Sequence, residues 1–157
     1  MVSAEWLKKT ELFGTLDESQ LNAVLAHSAV KSFSDGETIF LQGEDAKRLY
    51  ILIEGTVNLA VKTEEKIDLI TSKIEKEGAV FGMPSLIEPF QYNVTATCLK
   101  PSRVLVMEAD HIRTAINMDP RMGMEIMRRL ASIYFNRLNE MRAGVSNFLK
   151  AFKTKKP

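Results

Sequence analysis

Few side chains in this sequence are of a type and spacing that could do chemistry, and most of those lie between residues 81 and 98. Ser85, Asn93, Thr95 and Thr97 offer hydroxyl and amide groups that can hydrogen-bond a polar ligand. Met83, Tyr92, Met107 and Met141 are suited to the apolar lining that makes up most of a small-molecule site, although core packing is the more frequent role of such residues. His27 and His111 are far apart in the chain, and neither stands at metal-ligand spacing to another donor, so no metal site is expected. Cys98, on an apolar run without a neighbouring His, reads as a small buried hydrophobe. There is no Gly-x-Ser-x-Gly nucleophile turn and no Walker-type lysine loop. Asp35, Glu37, Glu44 and Asp45 sit near turn residues and read as solvated loop charges rather than a catalytic pair. No catalytic residues emerge, and the protein is not expected to be an enzyme.

The elements that must position these residues divide the chain into three parts. Residues 5–29 carry Leu12, Phe13, Leu16, Leu21, Val24 and Leu25 at helical offsets, with Asp17 placed to cap a second helix and Gly14 between the pieces. Residues 30–108 change to short β-branched and aromatic runs divided by Gly, Pro, Asp and Asn. The runs are Val30–Phe33, Thr38–Leu41, Leu49–Ile53, Thr56–Val61, Ile67–Ile70, Val94–Cys98 and Arg103–Met107, with Glu54-Gly55 read as a tight turn between two of them. Many short strands with no βαβ alternation predict an antiparallel β-roll, sandwich or jelly roll. Residues 109–152 return to helix: a short one over Asp110–Asn117, then a long one opened by Pro120, whose missing N–H costs nothing in the first turn. That helix carries Met127, Leu130, Tyr134, Leu138, Met141, Val145, Phe148 and Phe152 in steps of three or four. Such a seam predicts a homodimer helix, with some turns free to pack on the roll instead. Gly144 predicts a bend or an end. Lys150, Lys153, Lys155 and Lys156 read as a solvated, frayed end rather than a nucleic-acid patch.

Composition bounds the rest. At 157 residues, 45% hydrophobic and 26% charged, the chain is one domain's worth with an ordinary folded composition. A net charge of +1 gives no field pointing to nucleic acid or an anionic membrane. One cysteine excludes a disulfide framework and a cysteine-held iron–sulfur cluster within one chain. No stretch approaches the ~20 apolar residues of a membrane helix, and the first residues lack the apolar core of a signal peptide. A cytoplasmic protein is expected.

Three pieces in fixed order resemble the cyclic-nucleotide-binding domain family, which includes catabolite-activator-type regulators, kinase regulatory subunits and gated channels. They are Phe33–Glu44 with Gly36 and Gly43 at its turns, Leu49–Val57 with its strand-Gly-strand pattern, and Gly78–Leu86 followed by Thr95–Cys98 and Val104–Val106. The resemblance covers nearly the whole chain. It implies a β-roll with helices before and after it. It also implies that the segment after Gly82 forms a short helix whose backbone N–H groups face a cyclic phosphate. The ligand-binding residues it implies are Phe81, Gly82, Met83, Pro84, Ser85, Leu86, Tyr92, Asn93 and Val94, with Met141 and Arg142 from the long helix.

Two positions depart from the family pattern. Met83 stands where cyclic-AMP binders have the Glu that accepts from the ribose hydroxyl, and Tyr92 falls where they have the phosphate-pairing Arg. Losing both removes on the order of ~4 kcal/mol, or two to three decades of affinity. The sequence therefore predicts a stand-alone regulatory ligand-sensing domain with degenerate cyclic-AMP recognition and no cofactor, acting through a small molecule or a protein partner. A genuine cyclic-nucleotide binder with a non-standard site is the first alternative. Arg142 reads as a solvent-facing side chain, with a positive charge for some other anion as its alternative role. A haem- or gas-sensing relative using His27 is the second. The residues after Asn139 are too few for the helix-turn-helix domain of the family's transcription factors, so direct DNA binding is not expected.

Overall fold

The computed structural model describes residues 2–154. Two short helices open it, α1 (Ala4–Lys8) and α2 (Glu18–Ala26). Six strands follow: β1 (Ser28–Phe33), β2 (Thr38–Phe40), β3 (Arg48–Lys62), β4 (Asp68–Ile74), β5 (Val80–Phe81) and β6 (Thr95–Glu108), with a short 3-10 helix (Met83–Leu86) after β5. Helices α3 (Ala109–Met118) and α4 (Pro120–Thr154) complete the described chain. All strands pair antiparallel in one rolled sheet ordered β1-β6-β3-β4, with β2 on β6 and β5 on β3. The expected β-roll with flanking helices and a long C-terminal helix is the observed architecture.

Local chemistry explains the element boundaries. Asp17 accepts from the Gln20 amide while the Gln20 side chain accepts from the Asp17 amide, a reciprocal cap at the start of α2. The residues between α1 and α2, expected in helical segments, form turns instead. Ser28 and Ala29, expected in the helical part, already pair with Met107 and Val106 of β6.

The turn expected at Glu54-Gly55 is not a turn. β3 runs straight through it as a 15-residue strand, paired along its length with the 14-residue β6. The register shifts there instead, and Gly55 has φ +117°. A Cβ at Gly55 would lie 2.1 Å from Ser102 Oγ. The glycine thus permits two long strands to bend together while touching, which rolls the sheet rather than ending the strand.

The alternation of β3 builds two cores, one on each face. Leu49 and Ile51 face the helices and pack with Leu7, Leu12, Phe13, Leu105 and Ile126. Tyr50 and Leu52 face the inside of the roll with Phe40, Phe81, Tyr92 and Val104. Each fully buried aliphatic or aromatic side chain contributes about 1.5–3 kcal/mol.

Helix α4 divides by face and by length. Met122, Ile126, Leu130 and Ile133 are buried in the helix-side core. Met124, Met127, Phe135, Leu138, Met141, Val145, Phe148, Leu149 and Phe152 are exposed. Two members of the expected seam therefore turn inward: Leu130 is 1% exposed, and Tyr134 packs against the core. Gly144 does not end the helix. One glycine costs about 1 kcal/mol, too little to break a helix this long. Of the expected basic end, Lys150 and Lys153 are exposed on α4, while Lys155 and Lys156 lie outside the described residues.

Candidate functional site

Gly82 begins the site. It has φ +75°, and a Cβ there would lie 2.8 Å from the Tyr50 ring and 3.1 Å from the Arg48 carbonyl oxygen. Only glycine lets the chain leave β5 this close to β3. The 3-10 helix that follows has little to offer an anion. Pro84 has no N–H, and the amides of Ser85 and Ile87 turn back to the carbonyls of Gly82 and Pro84.

Tyr92 is seated in the roll. Its hydroxyl donates to the Arg48 carbonyl at 2.7 Å and accepts from the Arg48 amide at 3.2 Å. Its ring stacks on Phe40 with centroids 3.8 Å apart. Burial pushes its ionisation well above the ordinary tyrosine value, and the neighbouring Tyr50 adds to the shift. The hydroxyl at this position is thus neutral and committed to the backbone of β3. Met83 is buried beside it at 3% exposure.

These residues border a cavity of about 290 Å³ between the roll and α4. Of the residues expected from sequence, Gly82, Met83, Pro84, Tyr92, Asn93, Val94 and Met141 line it. Phe81, Ser85 and Leu86 are buried behind that wall and are not among its lining. Arg142 is exposed and also outside the lining. Phe40, Leu59, Val61, Thr71, Ser72, Tyr134, Arg137 and Leu138 complete the cavity and were not anticipated.

Arg137 is the most consequential of these. Its side chain is 15% exposed. Its Nη2 donates to the Val80 carbonyl and lies 3.6 Å from Glu11 Oε2. Burial pulls its ionisation below the ordinary arginine value, while the Glu11 charge opposes the shift. One signal could have found it: Arg137 lies one turn before Met141 on the face shared with Tyr134 and Leu138.

A second arginine braces the wall from behind. Arg113 of α3 donates through Nε to the Ser85 carbonyl and through Nη2 to the Ala46 carbonyl, both at 2.7 Å. Its guanidinium lies 3.9 Å from the centre of the Phe90 ring. The Ser85 hydroxyl is buried with no hydrogen-bond partner among the described residues.

The two histidines, distant in sequence, meet in space. His27 and His111 stack with centroids 3.6 Å apart and planes 7° from parallel. They border a different cavity, of about 370 Å³, lined also by Met107, Met118 and Met122. The cavity beside Tyr92 shares no lining residue with it. Among the described residues no group of three or more His, Cys, Asp or Glu is placed to hold a metal ion. Cys98 is buried, and that burial pushes its thiol ionisation up. No helix of the described residues is long and apolar enough to cross a membrane.

A β-roll whose glycine-led 3-10 helix faces a cavity closed by a C-terminal helix defines a class of protein, and comparison agrees. Residues 30–119 match the model of the cyclic nucleotide-binding domain, and this chain belongs to that family. It is similar to a CRP-like cAMP-activated global transcriptional regulator of Mycobacterium tuberculosis, 28% identical over 81% of this chain and 56% of the relative. It is also similar to a global nitrogen regulator of Nostoc sp., 31% identical over 66% of this chain and 47% of the relative. The chain spans about half the length of these curated relatives. Among solved structures, a proposed cyclic nucleotide-binding protein from Geobacter metallireducens superposes with a TM-score of 0.79 at 30% identity, covering 88% of this chain and 99% of that one.

Proposed function

We propose that this chain is a regulatory ligand-sensing module of the cyclic nucleotide-binding family whose recognition of cyclic AMP is degenerate. It acts as one unit, and its output is carried by α4. The observation that carries this reading is Tyr92. A neutral hydroxyl, bonded twice to the Arg48 backbone, fills the place where the family's phosphate-pairing arginine is expected. Buried Met83 removes the ribose acceptor as well. The remaining wall is mostly apolar, which suits a ligand with a substantial apolar body. Titration calorimetry with cyclic AMP and cyclic GMP tests the reading. No binding in the micromolar range is expected, and a micromolar dissociation constant for either nucleotide would overturn it.

A second reading, a genuine cyclic-nucleotide binder with a non-standard site, is favoured by Arg137, which brings a cation to the same cavity from α4. The same titration decides between the two, since this reading requires a nucleotide affinity that falls when Arg137 is replaced by Gln.

The exposed apolar stripe of α4 supports a homodimer through this helix. Leu138, Met141, Val145, Phe148 and Phe152 keep alternating three- and four-residue steps and are all exposed. Because Leu138 and Met141 also line the cavity, such a partner would lie beside its mouth.

A further inference from the structure

Among the described residues Arg137 makes the last side-chain hydrogen bond and ion pair from α4 to the rest of the molecule, and beyond it Leu138 and Met141 only border the cavity. Every residue from 138 to 153 is exposed. Both of its contacts with the roll side run through one nitrogen, Nη2, to the Val80 carbonyl and toward Glu11. Among the described residues Nε and Nη1 have no hydrogen-bond partner, and neither is a buried unsatisfied atom, so both are open to a ligand or to water. Glu11 is bound more firmly elsewhere: its Oε2 accepts from the Val80 amide at 3.0 Å. The Arg137–Glu11 separation of 3.6 Å is an ion pair without a hydrogen bond. Glu11 therefore keeps its better bond when the guanidinium moves away, and the hydrogen bond given up is the one from Nη2 to the Val80 carbonyl. The same guanidinium borders both the apolar cavity and a more polar, open one beside Lys73 and Arg129.

We propose that Arg137 is a two-position switch read by an amphiphilic anion. One position is the one seen here, on Val80 and Glu11. In the other, a ligand with its apolar body in the cavity and a single carboxylate, sulfonate or phosphate takes the Nε and Nη1 donors. It draws the guanidinium off Val80 and Glu11 and releases the last side-chain polar tether between α4 and the roll side. The apolar lining selects the body and Arg137 selects the charge, because an anion placed in such a cavity needs a paired cation. A ligand that binds one position better than the other shifts α4 by that difference. The proposal rests on the cavity being the ligand site.

Two fluorescent probes of similar body separate the parts of this claim: anilinonaphthalene sulfonate, which is anionic, and phenylnaphthylamine, which is uncharged. Binding is followed by fluorescence and located by the methyl resonances of Met83, in the cavity, and Met124, on the exposed face of α4. The sulfonate is expected to bind about tenfold or more tightly than the neutral dye. Arg137→Gln removes that preference and Arg137→Lys retains much of it. Glu11→Gln, which keeps an acceptor for the Val80 amide, strengthens the sulfonate about threefold or more by removing its competitor and leaves the neutral dye unchanged. Hydrogen exchange across residues 138–153 rises when the sulfonate binds. A Glu11→Gln protein that binds the sulfonate no better, or less well, overturns the switch. If both dyes move Met83 equally in the parent and in Arg137→Gln, the cavity reading survives and the switch does not. If neither dye moves Met83, the cavity reading fails and the switch fails with it.

Discussion

Tyr92 holds the roll together through its ring and its hydroxyl. Tyr92→Phe keeps the ring on Phe40 and removes both hydrogen bonds to Arg48. A loss of about 1–3 kcal/mol is expected, read as a lower chemical-denaturation midpoint with an unchanged slope. The same residue makes the fold sensitive to alkali. Its ionisation is raised from the ordinary value of 10.0, so the folded state favours the neutral hydroxyl. That contribution is fully present below pH 10 and is lost as pH rises toward the folded-state value. Tyr50 and Tyr134 are raised by burial in the same direction. The melting temperature should therefore fall above pH 10 in the parent protein and fall less steeply, though still measurably, in Tyr92→Phe.

At the scale of elements, two positions decide how the roll is shaped and how it is tied to the helices. Gly55→Ala forces a side chain into a left-handed φ and against Ser102. Relief by Ser102→Ala is not available, because Ser102 Cβ and Cα lie 2.5 and 2.6 Å from the added atom. A cost of about 2 kcal/mol or more is expected for Gly55→Ala, and the double variant should recover none of it in equilibrium denaturation. Arg113 ties α3 to the cavity wall through the carbonyls of Ser85 and Ala46. Arg113→Met retains an apolar stem on Phe90 but strips both carbonyls of their donor. Amide exchange in residues 83–94 should rise more than in β3, since the loop loses its brace while the long ladder between β3 and β6 remains.

For the whole molecule, the question is what the distal half of α4 is for. A helix of 35 residues extends beyond its own roll and exposes Val145, Phe148, Leu149 and Phe152. Large apolar side chains in one stripe are costly to leave in water. Sedimentation at tens of micromolar should show a dimer, and Val145→Glu with Phe148→Glu should give a folded monomer with an unchanged near-ultraviolet spectrum. A monomeric parent protein would remove the dimer reading while leaving the cavity untouched.

The rolled antiparallel sheet between helices, and the family, were legible in the residues alone. Glycines at forced positive φ, period-two alternation and a capping aspartate are local requirements, written in neighbouring residues. The sequence also marked Met83 and Tyr92 as departures. What it could not contain were juxtapositions between distant segments. Glu54-Gly55 read as a turn because a bulge and a turn ask for the same residue. Only Ser102, pressed against Gly55 from β6, turns the glycine into a bend within one strand. Arg142 and Arg137 are equally charged and lie five positions apart. Only the docking of α4 on the roll, set by Ile126, Leu130 and Ile133, turns Arg137 inward and leaves Arg142 in water. The stacking of His27 on His111 and the pairing of Glu11 with Arg137 are of the same kind. Each joins residues whose separation along the chain says nothing of their distance, because burial of the two cores, rather than local propensity, sets how the elements meet.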